Sequence, residues 1–157
     1  MGKEIERKFI VSGNGYKQAG EGVICRQGYL STQKERIVRV RLIGDEGFIT
    51  IKGLCNGISR PEYEYKIPAA DAIEMLDFLC EKPLIEKIRY KINFGGRLWE
   101  IDEFAGENSG LIIAEIELRS EGEKFEKPSW AGEEVSNDPR YFNSNLIKTP
   151  YSLWKKC

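Results

Sequence analysis

A chain of 157 residues with 41% hydrophobic content is large enough to bury a core as one domain, and its 24 Lys+Arg against 25 Asp+Glu leave no global field to attract nucleic acid or an anionic membrane. The complete absence of histidine excludes Ser-His and Cys-His nucleophile systems and imidazole metal sites, so carboxylates, Lys, Tyr or a metal must perform any chemistry. Cys25, Cys55, Cys80 and Cys157 lie far apart without a CxxC pair, which argues against a zinc cluster and for reduced, mostly buried thiols. A charged start and the lack of a long apolar run show neither signal peptide nor membrane anchor, so a cytoplasmic location is the expectation.

From residue 4 to about 67 the chain alternates with period two in EIERKFIV, VICRQGYLS, RIVRVRLI, GFITIKG and RPEYEYKI, which predicts four or five strands joined mainly as hairpins. GDEG at 44–47 is a turn signal that makes the third and fourth runs antiparallel neighbours. The pattern changes in PAADAIEMLDFLCEK, where Pro68 suits a helix start, Asp71 its first turn, and Ile73, Leu76, Leu79 and Cys80 one face; Pro83 is expected to close that helix. Three more alternating runs follow, LIEKIRYKINF, RLWEIDEF and LIIAEIELR, the first two joined across Gly95-Gly96. WAGEEVS reads as a further short strand and DPRYFNSNLIK as a terminal helix capped by Asp138. The expected fold is a β-dominated α+β single domain over 1–157, with about eight antiparallel strands, enough to close a barrel, and a few covering helices.

The alternate positions of these runs carry like charges in pairs. Glu4/Glu6, Glu62/Glu64, Glu100/Asp102 and Glu115/Glu117 are acidic pairs at i, i+2; Arg39/Arg41 and Lys87/Arg89 are basic pairs; Lys8 and Lys52 are single cations. Residues two apart on a strand point the same way, ~6.5 Å apart, so each pair can serve one ion or one polyanion. A wet outer face would also alternate, but a solubilising surface disperses its signs, because neighbouring like charges repel. Periodicity alone leaves open whether these faces are solvated or line a site for a polyphosphate with divalent cations.

EIERKF resembles the ExExK signature of the CYTH superfamily, the triphosphate tunnel metalloenzymes, and the resemblance continues in order through VRVR, TIKG, EYEY, EKIRY, WEIDEF and AEIEL, over residues 4 to about 148. It implies an eight-stranded closed tunnel with the charges pointing inward and a triphosphate bound with Mg²⁺ or Mn²⁺. By the same resemblance Glu4, Glu6, Glu115 and Glu117 hold the metal, and Glu62, Glu64, Glu100 and Asp102 are further tunnel acids. Lys8, Arg39, Arg41, Lys52, Lys87 and Arg89 grip the triphosphate, Lys148 lies at the tunnel mouth, and Lys87 with Tyr29 matches a Lys-Tyr pair used in phosphate cleavage.

The implied reaction is metal-dependent hydrolysis of a small-molecule triphosphate, with inorganic tripolyphosphate favoured because no nucleoside pocket or dinucleotide loop is legible. The proton of the attacking water is left open among a free carboxylate, Lys87 and a second metal at Glu62/Glu64. Alternatives are a nucleoside or thiamine triphosphatase, a class IV-type adenylyl cyclase, or a non-catalytic polyphosphate- or nucleotide-binding module. Plain ExExK without an extended His-containing motif disfavours the cyclase; Trp99, Trp130 and Trp154 are read as core or lid packing rather than a thiamine platform. Outward apolar strand positions leave room for a homodimer.

Overall fold

The computed structural model describes residues 2–154. Its strands are β1 (Glu4–Val11), β2 (Gly22–Ser31), β3 (Ile37–Ile43), β4 (Glu46–Lys52), β5 (Ser59–Arg60), β6 (Glu62–Ile67), β7 (Ile85–Phe94), β8 (Arg97–Phe104), β9 (Ile112–Glu117) and β10 (Ala131–Glu134). Helices α1 (Ala69–Phe78) and α2 (Asn143–Leu146) complete a β-dominated α+β fold with few helices. Among the described residues no helix is long and apolar enough to cross a membrane.

One large antiparallel sheet runs in the order β10-β1-β9-β8-β7-β2-β3-β4-β6, with β5 paired to β1. The hairpins expected at GDEG and at Gly95-Gly96 are present, in the register Ile43↔Glu46 and Phe94↔Arg97. The first strand is no hairpin partner of the second: β1 lies against β9 on one edge and against β5 and then β10 on the other. Among the described residues ten strands form where about eight were expected, partly because Pro61 has no N–H to give the ladder and divides RPEYEYKI into β5 and β6. The strand path ends at β10 and β6 and does not return on itself as a ladder.

Alternation gives the sheet two unlike faces. One carries Ile5, Phe9, Ile92, Trp99, Ile101, Ile116 and Leu118, packed with Tyr16, Phe125 and Trp130 into an aromatic-rich core. Helix α1 covers Val40 on the same side of the sheet through Ala72 and Leu76, an i, i+4 pair, and Cys80 just beyond the helix end continues the contact. The expected row differs: Ile73 and Leu79 are 39% and 67% exposed, and the helix ends at Phe78, ahead of Pro83. Two glycines let α1 and its exit lie close, since a Cβ on Gly47 would meet Ala72 Cβ at 2.8 Å and one on Gly28 would meet Cys80 Cβ at 2.8 Å. Cys25 and Cys80 are buried free thiols and Cys55 is an exposed one; Cys157 lies outside the described residues.

The opposite face is charged along most of its length but apolar at one end, where Tyr29, Ile37, Ile85, Phe104 and Ile113 pack against Tyr141, Leu146 and Ile147 of the C-terminal segment. That segment is two short pieces, not one helix: a single turn over Pro139–Tyr141, with Asp138 accepting from Arg140 N–H as expected of a cap, then α2. The row on α1 is testable by urea unfolding. Leu76→Ala should cost about 2–5 kcal/mol, and Leu79→Ala under about 0.5 kcal/mol.

Candidate active site

The charged face lines a cavity of about 140 Å³, partly open to solvent, whose walls carry seven acidic and seven basic side chains. Strand β1 contributes Glu4, Glu6 and Lys8, and β9 contributes Glu115 and Glu117. Arg39 and Arg41 come from β3, Lys52 from β4, Glu62 and Glu64 from β6, Lys87 and Arg89 from β7, Glu100 from β8, and Tyr29 from β2. Two of the residues singled out from the sequence stand apart. Asp102 is fully buried behind the wall, and Lys148 is exposed and does not line the cavity.

Register explains the acidic side. Glu6 faces Glu117 across β1 and β9, and Glu100 faces Glu115 across β8 and β9. Like charges directly opposite one another on a sheet repel. Burial and the charges of Glu115 and Glu4 therefore push the Glu6 carboxyl well above the usual carboxylate range. Glu62 rises to about 7 through burial, a hydrogen bond to Glu4 and the Glu4 charge. Burial, Glu4 and Glu100 also raise Glu117. Glu4 moves the other way: burial would raise it, but Lys52, the hydrogen bond from Glu62, Arg39 and Lys8 bring it down to about 2. Lys52 Nζ lies 3.3 Å from both Glu4 and Glu62, and Lys8 Nζ bridges Glu6 and Glu115 at 3.9 Å each. Among the described residues no three carboxylates are gathered closely enough to hold a metal ion as they stand; an acid such as Glu6, pushed up by its acidic neighbours, is the kind of oxygen donor from which a divalent cation can displace a proton.

The basic side is built on Asp102. Its two oxygens accept a forked pair of bonds from Arg89 Nε and Nη2, at 2.8 and 2.9 Å, and Lys87 Nζ lies 2.8 Å from Oδ2. Burial raises the Asp102 pKa, but Arg89 and Lys87 overcome it and hold the carboxyl far below its ordinary value. Burial pulls the Lys87 ammonium below its ordinary value, with the Arg89 charge adding to it and Asp102 opposing. Among the described residues, Arg39 donates to Thr50 Oγ1 and Arg41 to Glu64, each at 3.2 Å. The Nε–H of both arginines is buried without a partner. Buried guanidinium donors lacking acceptors are costly, and an anion in the cavity would satisfy them.

Sequence reasoning passed over several residues. Arg60 lines the cavity and binds the Gly53 carbonyl, at 2.9 Å from Nη2. Ser136, Phe142, Asn143 and Ser144 reach it from the C-terminal segment, whose polar, aperiodic sequence carries no facing signal. Gln27 was legible in principle, because it shares a face with Tyr29 in CRQGYLS.

Residues 2–151 match the CYTH domain family, and the chain belongs to that family. It is 59% identical over 156 residues to a protein of Acetivibrio thermocellus named inorganic triphosphatase, covering 99% of this chain and 100% of that one. It is 43% identical over 149 residues to an inorganic triphosphatase of Nitrosomonas europaea, covering 91% and 95%. The crystal structure of an inorganic triphosphatase superposes with a TM-score of 0.63 at 39% identity, over 91% of this chain and 96% of that one. CYTH triphosphatases are metal-dependent in general.

The raised acids set a pH dependence. An unfolded chain releases the Glu6 and Glu62 protons near 4.5, whereas the folded chain keeps them longer, Glu62 to about 7. Their contribution to stability is therefore complete below 4.5 and lost as pH rises through the folded values; the depressed Glu4 and Asp102 act in the opposite sense but only at lower pH. With a chelator present, Tm should fall between about pH 5 and pH 8, and Mg²⁺ or Mn²⁺ should raise it most at the upper end. A chelated Tm that climbs across that window, unmoved by either cation, would contradict the assignment.

Proposed function

We propose that this chain is an inorganic triphosphatase that hydrolyses tripolyphosphate to pyrophosphate and phosphate, using Mg²⁺ or Mn²⁺. The unpartnered, buried Nε–H groups of Arg39 and Arg41 carry this reading, because they belong to cationic side chains lining one cavity and have no acceptor among the described residues. The relatives named inorganic triphosphatase support the same substrate class. None of Trp99, Trp130 and Trp154 lines the cavity, so the site offers no indole platform for a base or a thiazolium. Trp99 and Trp130 stack edge-on in the core and Trp154 packs on Tyr141 and Tyr151.

The cavity acts as a closed tunnel in this proposal. Support comes from the reciprocal bonds Gly2 N to Glu62 O, 3.0 Å, and Glu62 N to Gly2 O, 3.3 Å, which carry the β5–β1 pairing on to the start of β6. Walls of matched charge cannot neutralise a polyanion alone, so a cation accompanies it, held by Glu4, Glu6, Glu115 and Glu117, with Glu62, Glu64 and Glu100 beside them. Bound there, that cation supplies Lewis-acid neutralisation of phosphate oxygens. Arg39, Arg41 and Arg89 hold and orient the phosphate chain, while Lys8 and Lys52 tie the acids to it. Lys87, its pKa lowered by burial, accepts the proton of the attacking water as the new P–O bond forms and the bridging P–O bond breaks to release pyrophosphate. Asp102 serves as the fixed counter-ion of Arg89 and Lys87 rather than as a metal ligand, since both its oxygens are already taken.

Phosphate release from tripolyphosphate, pyrophosphate and ATP with Mg²⁺ or Mn²⁺ tests the reading. Tripolyphosphate should yield equal amounts of phosphate and pyrophosphate, with pyrophosphate left intact and ATP a poorer substrate. Glu6→Ala and Arg41→Ala should each lower turnover by about 10²–10³-fold while remaining folded. Tight metal-dependent binding with no turnover would leave a binding module instead. Asp102→Asn, which strands two buried cations, should cost about 3–5 kcal/mol in stability.

A further inference from the structure

Behind Lys87 and Tyr29 runs a chain of amides that the reaction scheme above does not use. Asn143 Oδ1 accepts from Lys87 Nζ at 2.8 Å and from Gln27 Nε2 at 3.0 Å, and Gln27 Nε2 also donates to the Tyr29 hydroxyl at 3.1 Å. Gln27 is fully buried and does not line the cavity, whereas Asn143, Lys87 and Tyr29 do. A buried amide with every polar atom engaged is an expensive feature for a barrel wall, where an apolar residue of similar volume would pack without needing partners. Cys25 Sγ completes its partners, 3.9 Å from Oε1.

The direction of this chain follows from donor and acceptor chemistry. As a base Lys87 is the neutral amine, with two N–H donors and one lone pair; the donors go to its two neighbours at hydrogen-bond distance, Asp102 and the Asn143 oxygen. That oxygen must then receive its second bond from an N–H, which turns the Gln27 amide nitrogen toward it. The same nitrogen has one hydrogen left, and it points to the Tyr29 oxygen. Tyr29 is thereby an acceptor on its buried side, and its own O–H is left to donate into the cavity. With both N–H donors of the neutral amine directed at Asp102 and Asn143, the Lys87 Nζ lone pair is left for the cavity.

Building on the triphosphatase reading, we infer that Gln27 and Asn143 are positioning residues that fix the Tyr29 hydroxyl as a donor to a phosphoryl oxygen and Lys87 Nζ as the proton acceptor beside it. Neither amide touches the reacting atoms through this role; each acts through its neighbour. Asn143 opens α2, so docking of the C-terminal segment on the apolar end of the charged face completes the site as well as the core.

The experiment is a mutant cycle read in kcat and KM for tripolyphosphate with Mg²⁺, using Gln27→Met, Tyr29→Phe and the double variant, with Tm measured for each. Gln27→Met keeps the volume and removes the donor: kcat should fall about 10–100-fold with KM nearly unchanged, and the double variant should be no slower than Tyr29→Phe alone. Asn143→Ala, at a half-buried position, gives the same comparison should Gln27→Met not fold, and its kcat should fall likewise with Tm retained. A folded Gln27→Met or Asn143→Ala with kcat near wild type overturns the inference, as do losses that multiply in the double variant. A Tyr29→Phe variant as fast as wild type overturns it while leaving the triphosphatase reading intact. A wild-type protein that releases no phosphate from tripolyphosphate overturns both.

Discussion

Everything in this protein is arranged around the cost of burying charge. Seven acidic and seven basic side chains line one cavity in a chain of 157 residues, and each would be expensive to remove from water alone. The sheet meets that cost by register: Lys8 stands between Glu6 and Glu115, Lys52 between Glu4 and Glu62, and Asp102 beneath Arg89 and Lys87. Even so, three carboxyls, Glu6, Glu62 and Glu117, are pushed up by burial and by neighbouring carboxylates, and among the described residues two arginine Nε–H groups have no acceptor. In the proposed reading these residual mismatches are where a cation and a polyanion bind, so that the imperfections of the protein's own pairing select the ligand.

The same constraint accounts for the apolar architecture. A sheet with one charged face must bury the hydrophobic surface of the other, and two pieces do so, the aromatic cluster around Trp99 and Phe125 and helix α1, while the C-terminal segment covers the apolar end of the charged face itself. The glycines under α1 matter for that reason, since the helix must approach within van der Waals contact to seal Val40 and the residues beside it. The C-terminal segment has a double role, adding Tyr141, Leu146 and Ile147 to the core and Asn143 to the polar chain behind Lys87.

Much of this was legible from alternation alone. The strands, the turns at 44–47 and 95–96, and the paired charges at i, i+2 follow from residue types and a period of two. The candidate cations and acids were readable for the same reason, with the family resemblance deciding which face is inside. The phase of α1 was misread because Ile73 and Leu79 are more hydrophobic than Ala72, yet the close approach permitted by Gly47 selects the small residue for the buried row. Asp102 could not be told from Glu100 by pattern, since both point inward; only the depth at which Arg89 and Lys87 converge separates a buried counter-ion from a cavity wall.

What the sequence determined by itself was periodicity: which residues share a strand face and that like charges recur there in pairs. What the tertiary structure decided was everything that depends on contacts between distant segments, because hydrogen bonding between β1 and β9, or between Lys87 and Asn143, joins residues more than 50 positions apart that no local pattern relates. Pairing β1 with β9 brings Glu6 opposite Glu117, and folding back the C-terminal segment brings Asn143 to Lys87. A strand's pattern fixes which side chains travel together; only the neighbours it acquires fix which of them must share a proton, a cation or a phosphate.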